Sequence, residues 1–164
     1  MSIIGVRIDG RLIHGQVANL WVTKLNISRI MVVDNKVSED PIEKSGLKLA
    51  TPSGVKLSVL PVEKAAKNIL DGRYNSQRVF IVARRPAVLL ELVKAGVPIE
   101  KINVGNMSQT ADTKSITKSI NVLDNDVDDF EELNEFGVQL TAQMVPNDPE
   151  QNFMSLLKDK QGKG

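Results

Sequence analysis

The sequence contains no cysteine, and its 164 residues include only one histidine, His14. The lack of cysteine excludes disulfides, thiol catalysis and cysteine-based zinc sites. With one histidine, any metal site would depend on carboxylates, and no carboxylate cluster with suitable spacing is visible, so we expect neither a metal nor another cofactor. A catalytic serine would have to share His14, and the chain contains no G-x-S-x-G segment.

The sequence also lacks a strong excess of either charge and any long apolar run. Its 21 basic and 20 acidic residues leave a net charge of +1, which argues against general nucleic-acid binding. No apolar stretch approaches the ~20 residues that span a bilayer. The first residues do not resemble a secretory signal. We therefore expect residues 1–164 to form one domain of a cytoplasmic or peripheral protein.

Short β-rich runs alternate with amphipathic helical patterns along the chain. This alternation predicts an α/β fold with a single open, twisted, mainly parallel sheet and helices on both faces. The strands are predicted at 3–8, 29–33, 56–60, 78–83, 101–105, 119–123 and 138–145. The helices are predicted at 15–25, from Pro41 onward, at 62–69, 86–95 and 127–136, and in a short segment at 152–157. In the first of them, the spacing places Val17, Leu20, Trp21 and Leu25 on one apolar face, which predicts that Trp21 is a core residue.

The segment "RIDGRLIHGQVANLW" (7–21) follows the first strand, at the edge of the sheet where open α/β proteins bind ligands. His14 lies where a helix begins, and the free N–H groups from Gly15 onward favour an anion there. Arg7 and Arg11 can converge on the same anion, since guanidinium groups suit phosphate. An imidazole among anion-binding groups predicts phosphoryl transfer, with His14 as the nucleophile.

Simpler interpretations of the same residues remain open. A single histidine in a polar turn is more often a solvent-facing loop residue than a catalytic one. Asp9 fits equally well as a residue that orients His14 or Arg11 and as a turn former before Gly10. The turn could also belong to a non-catalytic module that binds an anion or a phosphorylated metabolite. The pair 84–85, two arginines, is more typical of a solvated strand end than of a second anion site.

The segment 7–21 strongly resembles the active-site segment of IIB components of the mannose/fructose/sorbose family of the bacterial phosphoenolpyruvate-dependent sugar phosphotransferase system. R-I-D-x-R-L-I-H-G-Q-V is a highly specific signature. The resemblance continues through "ISRIMVVDNKVSED", "TPSGVKLSVLPVEKA", "AGVPIEKINVGNM" and "DVDDFEELNEFGVQL", so it covers essentially the whole chain.

The resemblance implies about seven strands and a protein phosphohistidine–sugar phosphotransferase. His14 would accept a phosphoryl group from a phosphorylated IIA protein. It would then pass the group to a sugar carried by the membrane subunits IIC and IID, at the inner face of the bacterial membrane. Arg11 and Arg7 would bind phosphate with Gly15, and Asp9 would steady the site. The implied rim of the site comprises Gln16, Asn35, Asn106 and Met107.

Two positions bear on how this chain differs from other family members. Many members resemble R-I-D-D-R, whereas this chain has Gly10 at the second acidic place, so Asp9 would act alone. Asn106 and the segment "QMVPNDPE" lean toward the N-acetylgalactosamine branch. The sugar itself is not fixed by the sequence, because sugar selection should rest mainly on the membrane subunits.

Overall fold

The computed structural model describes residues 2–162, which form nine β-strands and six α-helices. The strands are β1 (Ile3–Asp9), β2 (Arg29–Val33), β3 (Lys56–Leu60), β4 (Val79–Ala83), β5 (Lys101–Asn106), β6 (Lys114–Ser115), β7 (Asn121–Val122), β8 (Gln139–Ala142) and β9 (Gln151–Asn152). The helices are α1 (Gly15–Leu25), α2 (Pro41–Ala50), α3 (Val62–Leu70), α4 (Pro86–Lys94), α5 (Asp124–Glu135) and α6 (Phe153–Gly162). A 3-10 turn spans Val37–Glu39.

The main sheet has seven strands in the order β3-β2-β4-β1-β5-β8-β9. Neighbours from β3 to β8 pair in parallel, and only β9 pairs antiparallel, with β8. The predicted open, mainly parallel α/β sheet of about seven strands is confirmed. Strand β1 lies between β4 and β5, which places the loop after β1 near the middle of the carboxyl edge.

Both faces of the sheet are covered by helices because the central strands are apolar on both sides. In β2 and β4, alternate side chains enter two different buried clusters. One cluster packs against α1 and α2, and the other packs against α3, α4, α5 and α6. Because successive side chains of a strand point to opposite faces, a single apolar run such as Val79–Ala83 contributes to both cores.

Local end signals place the helices as the sequence predicts. Asp40 precedes α2, and its carboxylate accepts hydrogen bonds from the backbone N–H groups of Ile42 and Glu43. Pro41 occupies the first helical position, where its missing N–H costs nothing. Gly96 follows α4 with φ +100°, a conformation that an L side chain rarely adopts.

Several details differ from the sequence-based expectations. The strand predicted at 138–145 ends at Ala142. The segment predicted as a strand at 119–123 contributes only β7, which pairs antiparallel with β6 in a separate two-stranded sheet. The seventh strand of the main sheet is instead β9, which has two residues and therefore carries no periodic signal. Leu20, which the periodicity places on the apolar face of α1, is 47% exposed. Within residues 2–162, no helix is long and apolar enough to cross a membrane.

The larger core supplies a test of the packing. Phe130 is fully buried and lies 4.5 Å, between ring centroids, from Phe153. We expect Phe130→Ala to lower the free energy of unfolding by ~3–5 kcal/mol, because removing a buried ring leaves a cavity. Phe136→Ala is the matched control, since Phe136 is 53% exposed, and it should cost less than ~1 kcal/mol. Urea unfolding of both variants measures the difference, and equal losses would contradict this packing.

Candidate functional site

The candidate site is built on the loop 9–14, which joins β1 to α1. The backbone N–H of Leu12 donates to the Asp9 carbonyl at 2.9 Å and closes a tight turn. Leu12 and Ile13 are buried in the core beneath α1, and this burial anchors the loop. Arg11 and His14, on either side of these two apolar residues, are exposed. The loop therefore presents one guanidinium and one imidazole to solvent from a fixed base.

Backbone strain in this loop is concentrated at Leu12, whose φ is +61°. A side chain other than glycine in this left-handed region costs ~1–3 kcal/mol. Burial of the Leu12 side chain, which is 3% exposed, offsets that cost and holds the strained conformation. Such strain is concentrated at functional sites, so the loop is a candidate on this ground as well.

Asp9 lies at the centre of the site and is 1% exposed. Its carboxylate accepts five hydrogen bonds, all from two arginines. Arg7 donates through Nη2 at 3.2 Å and Nε at 3.4 Å. Arg11 donates through its backbone N–H at 2.9 Å, Nε at 3.1 Å and Nη2 at 3.2 Å. One buried carboxylate thus fixes both guanidinium groups that the sequence singles out.

Arg7 is 2% exposed and is enclosed by other parts of the chain. Its Nη1 donates to the Asn103 side chain at 2.5 Å and to the Gln143 carbonyl at 3.2 Å. Burial lowers the pKa of the guanidinium from its ordinary value, and the charge of Asp9 acts in the opposite direction. The expectation that Arg7 contacts a phosphoryl group is not met in this structure, because its donors point to protein acceptors and away from solvent.

Gly105 leaves space for the Arg7 guanidinium, and Trp21 packs against it. A Cβ atom at Gly105 would overlap the Arg7 guanidinium, so only glycine allows this approach. Trp21, from α1, packs against the guanidinium, with its ring centroid 5.4 Å from Arg7 Cζ. The indole N–H of Trp21 donates to the Met144 carbonyl at 3.1 Å. Trp21 is thus a core residue, as its helical spacing predicts, and it also ties α1 to the segment after β8.

Arg11 differs from Arg7 because its side chain is 35% exposed. Nε and Nη2 contact Asp9, and Nη2 also lies 3.9 Å from the Met144 sulfur. Its Nη1 makes no hydrogen bond to any residue that the structure describes. A thioether is a weak acceptor, so an anion arriving at the loop could readily replace Met144 as a partner of Arg11.

His14 is exposed and is the residue directly before α1, with φ −106° and ψ 111°. Its carbonyl accepts the first helical hydrogen bond, from Ala18 at 2.8 Å. No side chain caps α1, so the N–H groups of Gly15, Gln16 and Val17 lack acceptors within the helix. An imidazole therefore lies beside a row of backbone donors at the positive end of a helix dipole, which suits an anion.

The other predicted site residues have different surroundings. Gln16 is exposed on the first turn of α1. The side chain of Asn35 accepts a hydrogen bond from the Val62 N–H at 2.9 Å and so links the loop after β2 to the start of α3. This loop lies two strands away from β1 in the sheet. The hydrogen bond of the Asn35 side chain is therefore made to the start of α3 and not to the Asp9 network.

Asn106 borders the loop, whereas Met107 does not. The Asn106 carbonyl accepts a hydrogen bond from the Gly10 N–H at 2.9 Å. Met107 is 1% exposed and belongs to the core on the opposite face of the sheet from α1. Its backbone pairs with residues 119 and 121. The expectation that Met107 lies on the rim of the site is therefore wrong, because this apolar side chain continues the buried end of β5.

A side chain at position 10 would crowd its neighbours in this chain. A Cβ atom at Gly10 would come within 2.7 Å of the Ser108 hydroxyl and 3.3 Å of Asn106 Oδ1. Arg84 donates from Nε to the Gly10 carbonyl at 3.1 Å, and its Nη2 lies 3.6 Å from Glu43. Arg84 thus supports the loop after β1.

The neighbouring arginine has a different partner. Arg85 donates to the buried carboxylate of Asp126 at the start of α5. Asp126 also accepts a hydrogen bond from the Leu123 N–H and so caps that helix. Both arginines of the pair 84–85 therefore contact protein acceptors at the end of β4, while their side chains stay 42% and 30% exposed.

Sequence reasoning did not identify the residues that enclose Arg7, namely Asn103, Gln143 and Met144. Asn103 lies in β5, 96 positions from Arg7, and Gln143 lies in the segment after β8, 136 positions from Arg7. Met144 is in the same segment. The available signals were the glycine at 105 within a predicted strand and the single tryptophan, whose N–H needs a partner when buried. Among the described residues, no group of three or more histidine, aspartate or glutamate side chains is placed to hold a metal ion.

Comparison with known proteins matches this fold and loop to one family. The family model "PTS system sorbose subfamily IIB component" matches residues 3–163. The chain belongs to this family. It is 36% identical to the sorbose-specific EIIB component of Lacticaseibacillus casei, over 99% of both chains. The crystal structure of the IIBSor domain of the sorbose permease from Klebsiella pneumoniae superposes with a TM-score of 0.93 at 33% identity, over 97% of this chain and 98% of that chain.

The resemblance predicted from the segment 7–21 is therefore confirmed at the level of the family. The chain is also 34% identical to an N-acetylgalactosamine-specific IIB component of Escherichia coli, over 95% of this chain and 99% of that protein. Sorbose-specific and N-acetylgalactosamine-specific relatives thus lie at nearly equal identity. That Asn106 indicates the N-acetylgalactosamine branch of the family stays a prediction.

The buried carboxylate at the centre of the site can be tested by stability. Asp9→Asn keeps the shape of the side chain but leaves the buried Arg7 guanidinium without its counter-charge. We expect a loss of ~3–5 kcal/mol in the free energy of unfolding, as when one partner of a buried ion pair is removed. Asp71→Asn is the control, because Asp71 pairs with Lys67 on an exposed helical turn and should change stability by less than ~0.5 kcal/mol. Similar urea midpoints for the two variants would show that Asp9 does not hold Arg7.

Proposed function

We propose that this IIB component, taken as the single domain 1–164, is a phosphocarrier that receives a phosphoryl group on His14 from a phosphorylated IIA protein. The observation that carries the proposal is the position of His14. It is an exposed imidazole beside the uncapped N-terminus of α1, on a loop whose Arg11 is held by the buried Asp9. Membership of a sugar phosphotransferase family supports the same reaction class.

In the first step, a ring nitrogen of His14 attacks the phosphorus of the donor's phosphohistidine. The new nitrogen–phosphorus bond forms as the bond to the donor imidazole breaks, and the electron pair of that bond returns to the donor ring. The transferred group carries negative charge on its equatorial oxygens. The N–H groups of Gly15 and Gln16 and the guanidinium of Arg11 are the donors available to stabilise that charge.

In the second step, a hydroxyl oxygen of the sugar attacks the phosphorus on His14. An oxygen–phosphorus bond forms, the nitrogen–phosphorus bond breaks, and the imidazole nitrogen recovers its electron pair. The hydroxyl proton leaves to a base, for which the released imidazole of His14 is the nearest candidate on this chain. Both steps run through the same exposed atom, so one loop can serve donor and acceptor in turn. Neither step requires a nucleotide, a metal or another cofactor.

The partners follow from this scheme. A phosphorylated IIA protein supplies the group, and the membrane subunits IIC and IID present the sugar, which places this chain at the inner face of the bacterial membrane. The sugar belongs to the mannose, fructose, sorbose or N-acetylgalactosamine class. Gln16 and Asn106 are proposed to lie on the rim that faces these partners, since both are near the loop and accessible.

The two arginines take different roles in this proposal. Arg11 contacts the phosphoryl group, because its side chain is partly exposed beside the loop. Arg7 is a positioning residue that acts through Asp9, since its donors contact Asp9, Asn103 and the segment after β8. A non-catalytic anion-binding module would use the same loop, and it differs from the carrier in forming no covalent bond to His14.

The covalent step gives the first test. Incubation with phosphoenolpyruvate, the general carrier proteins and the cognate IIA should add one phosphoryl group, which is labile in acid and stable in base. His14→Ala should abolish the added mass, which intact-protein mass spectrometry measures. Labelling that persists in His14→Ala would refute the assignment, and a wild-type protein that gains no mass would favour the binding module.

The second test addresses Arg11. Arg11→Ala should slow phosphoryl uptake by ~100- to 1,000-fold, since it removes a charge aimed at the transition state. Its free energy of unfolding should change much less than that of Asp9→Asn, because the side chain is partly exposed. Arg11→Lys keeps the charge without the planar fork and should fall between Arg11→Ala and the wild type. Rapid-quench kinetics measure the rates, and an unchanged rate in Arg11→Ala would assign the phosphate contact to other groups.

A further inference from the structure

Helix α2 is exposed to an unusual degree for a helix that covers a sheet. Leu47 is the only residue of α2 that is buried. Ile42 and Leu49 are 84% and 89% exposed, the highest values among the exposed large hydrophobic side chains of the described residues. Single exposed apolar residues need no explanation, whereas two on the same face of one short helix make that face a candidate contact surface.

These side chains form one continuous strip, which we call the α2 ridge and define as Ile42, Ser45, Gly46 and Leu49. The spacing i, i+3, i+4 and i+7 places all four on one face of the helix. A Cβ atom added at Gly46 would have no atom within 4 Å. The ridge therefore has two apolar ends and a low centre, a shape into which another protein surface can pack closely.

Helix α2, which carries the ridge, adjoins the loop that carries His14. A Cβ atom at Gly15, the residue after His14, would lie 3.8 Å from the Ala50 carbonyl at the end of α2. At the start of α2, Glu43 forms the ion pair with Arg84, which in turn binds the Gly10 carbonyl. A partner large enough to bring a reacting group to His14 therefore extends readily over α2.

Charge on the far side of α2 indicates the chemistry of that partner. Lys44 and Lys48 of α2 and Lys56 at the start of β3 line a groove of about 850 Å³ that no acidic side chain lines. None of the three lysines forms an ion pair within the part of the chain that the structure describes. On a protein with a net charge of only +1, this is a local positive surface that suits carboxylates.

We propose that the α2 ridge is the docking surface for the phosphoryl donor, a phosphorylated protein whose apolar patch is bordered by carboxylates. The inference rests on the proposed function of His14. Apolar contacts with a charged border are the usual anatomy of a specific protein interface, and the ridge supplies the apolar contacts while the lysines supply the border. A lipid surface would use the same apolar and basic groups, but it has no phosphoryl group to exchange, whereas the end of α2 adjoins the loop that carries His14.

The first experiment changes the apolar ends of the ridge. The double variant Ile42→Ser/Leu49→Ser should raise the KM for the phosphorylated IIA protein by ~10- to 100-fold, as expected for loss of central interface contacts. The rate at saturating donor should stay unchanged, because neither side chain touches the phosphoryl loop. Leu70→Ser is the matched control, since Leu70 is 53% exposed at the end of α3, on the opposite face of the sheet.

The second experiment fills the low centre of the ridge without removing any contact. Gly46→Gln projects into open space and replaces glycine with a better helix former. Its unfolding midpoint should therefore be equal to or higher than that of the wild type. The same variant should raise the KM for the phosphorylated IIA protein, because the added side chain obstructs docking. A loss of affinity without a loss of stability separates docking from a structural role.

Several outcomes would overturn the inference. These are an unchanged KM in both ridge variants, an equal effect of Leu70→Ser, or a lower rate at saturating donor. Weakened binding to vesicles of anionic phospholipid with an unchanged KM would assign the ridge to a membrane. Lost self-association with an unchanged KM would assign it to a second copy.

Titration with unphosphorylated IIA distinguishes this inference from the proposed function. If the wild type binds IIA and the ridge variants do not, while no phosphoryl group reaches His14, then the inference stands and the proposed function fails. If the variants bind IIA as tightly as the wild type does, the inference fails whether or not His14 is phosphorylated.

Discussion

The structure around the candidate site depends on one buried carboxylate between two guanidinium groups. Asp9 is almost inaccessible to water, and removing a charge from water is costly unless strong partners replace the solvent. Arg7 and Arg11 together supply five hydrogen bonds to it. This arrangement leaves a net positive charge at the loop, shared between one buried and one partly exposed arginine. The loop is therefore both rigid and suited to an anion.

The same constraint explains why distant parts of the chain converge here. A buried arginine needs acceptors for its remaining donors, and these come from Asn103 and the Gln143 carbonyl. It also needs space, which Gly105 provides. Trp21 completes the enclosure through its ring and its hydrogen bond to the Met144 carbonyl. Strand β5, helix α1 and the segment after β8 are thereby fixed relative to one loop of six residues.

The sequence predicts the regular part of this molecule well because its periodic patterns are long. Helix 15–25 and strands 29–33 and 56–60 have the predicted bounds, and the family follows from one specific segment. A two-residue strand such as β9 is too short to show an alternating hydrophobic pattern, so the sequence predicts the seventh strand at 119–123 and not at β9. Prediction also failed where the burial of a charged residue decides the structure. The sequence predicts Arg7 within the strand 3–8 and Arg11 in the turn that follows, but it does not show that Arg7 is enclosed while Arg11 stays partly exposed.

The different roles proposed for these two arginines suit the proposed carrier, which would meet more than one partner. A group that contacts a transferred phosphoryl must be accessible and must not need rearrangement during transfer. Arg11 satisfies both conditions because Asp9 fixes its Nε and Nη2 while part of the side chain stays in solvent. Arg7 supports this position of Arg11 indirectly, because its ion pair with Asp9 holds the carboxylate at the end of β1. The exposed chemistry of the loop thus depends on the ion pair between Arg7 and Asp9, whose side chains are buried.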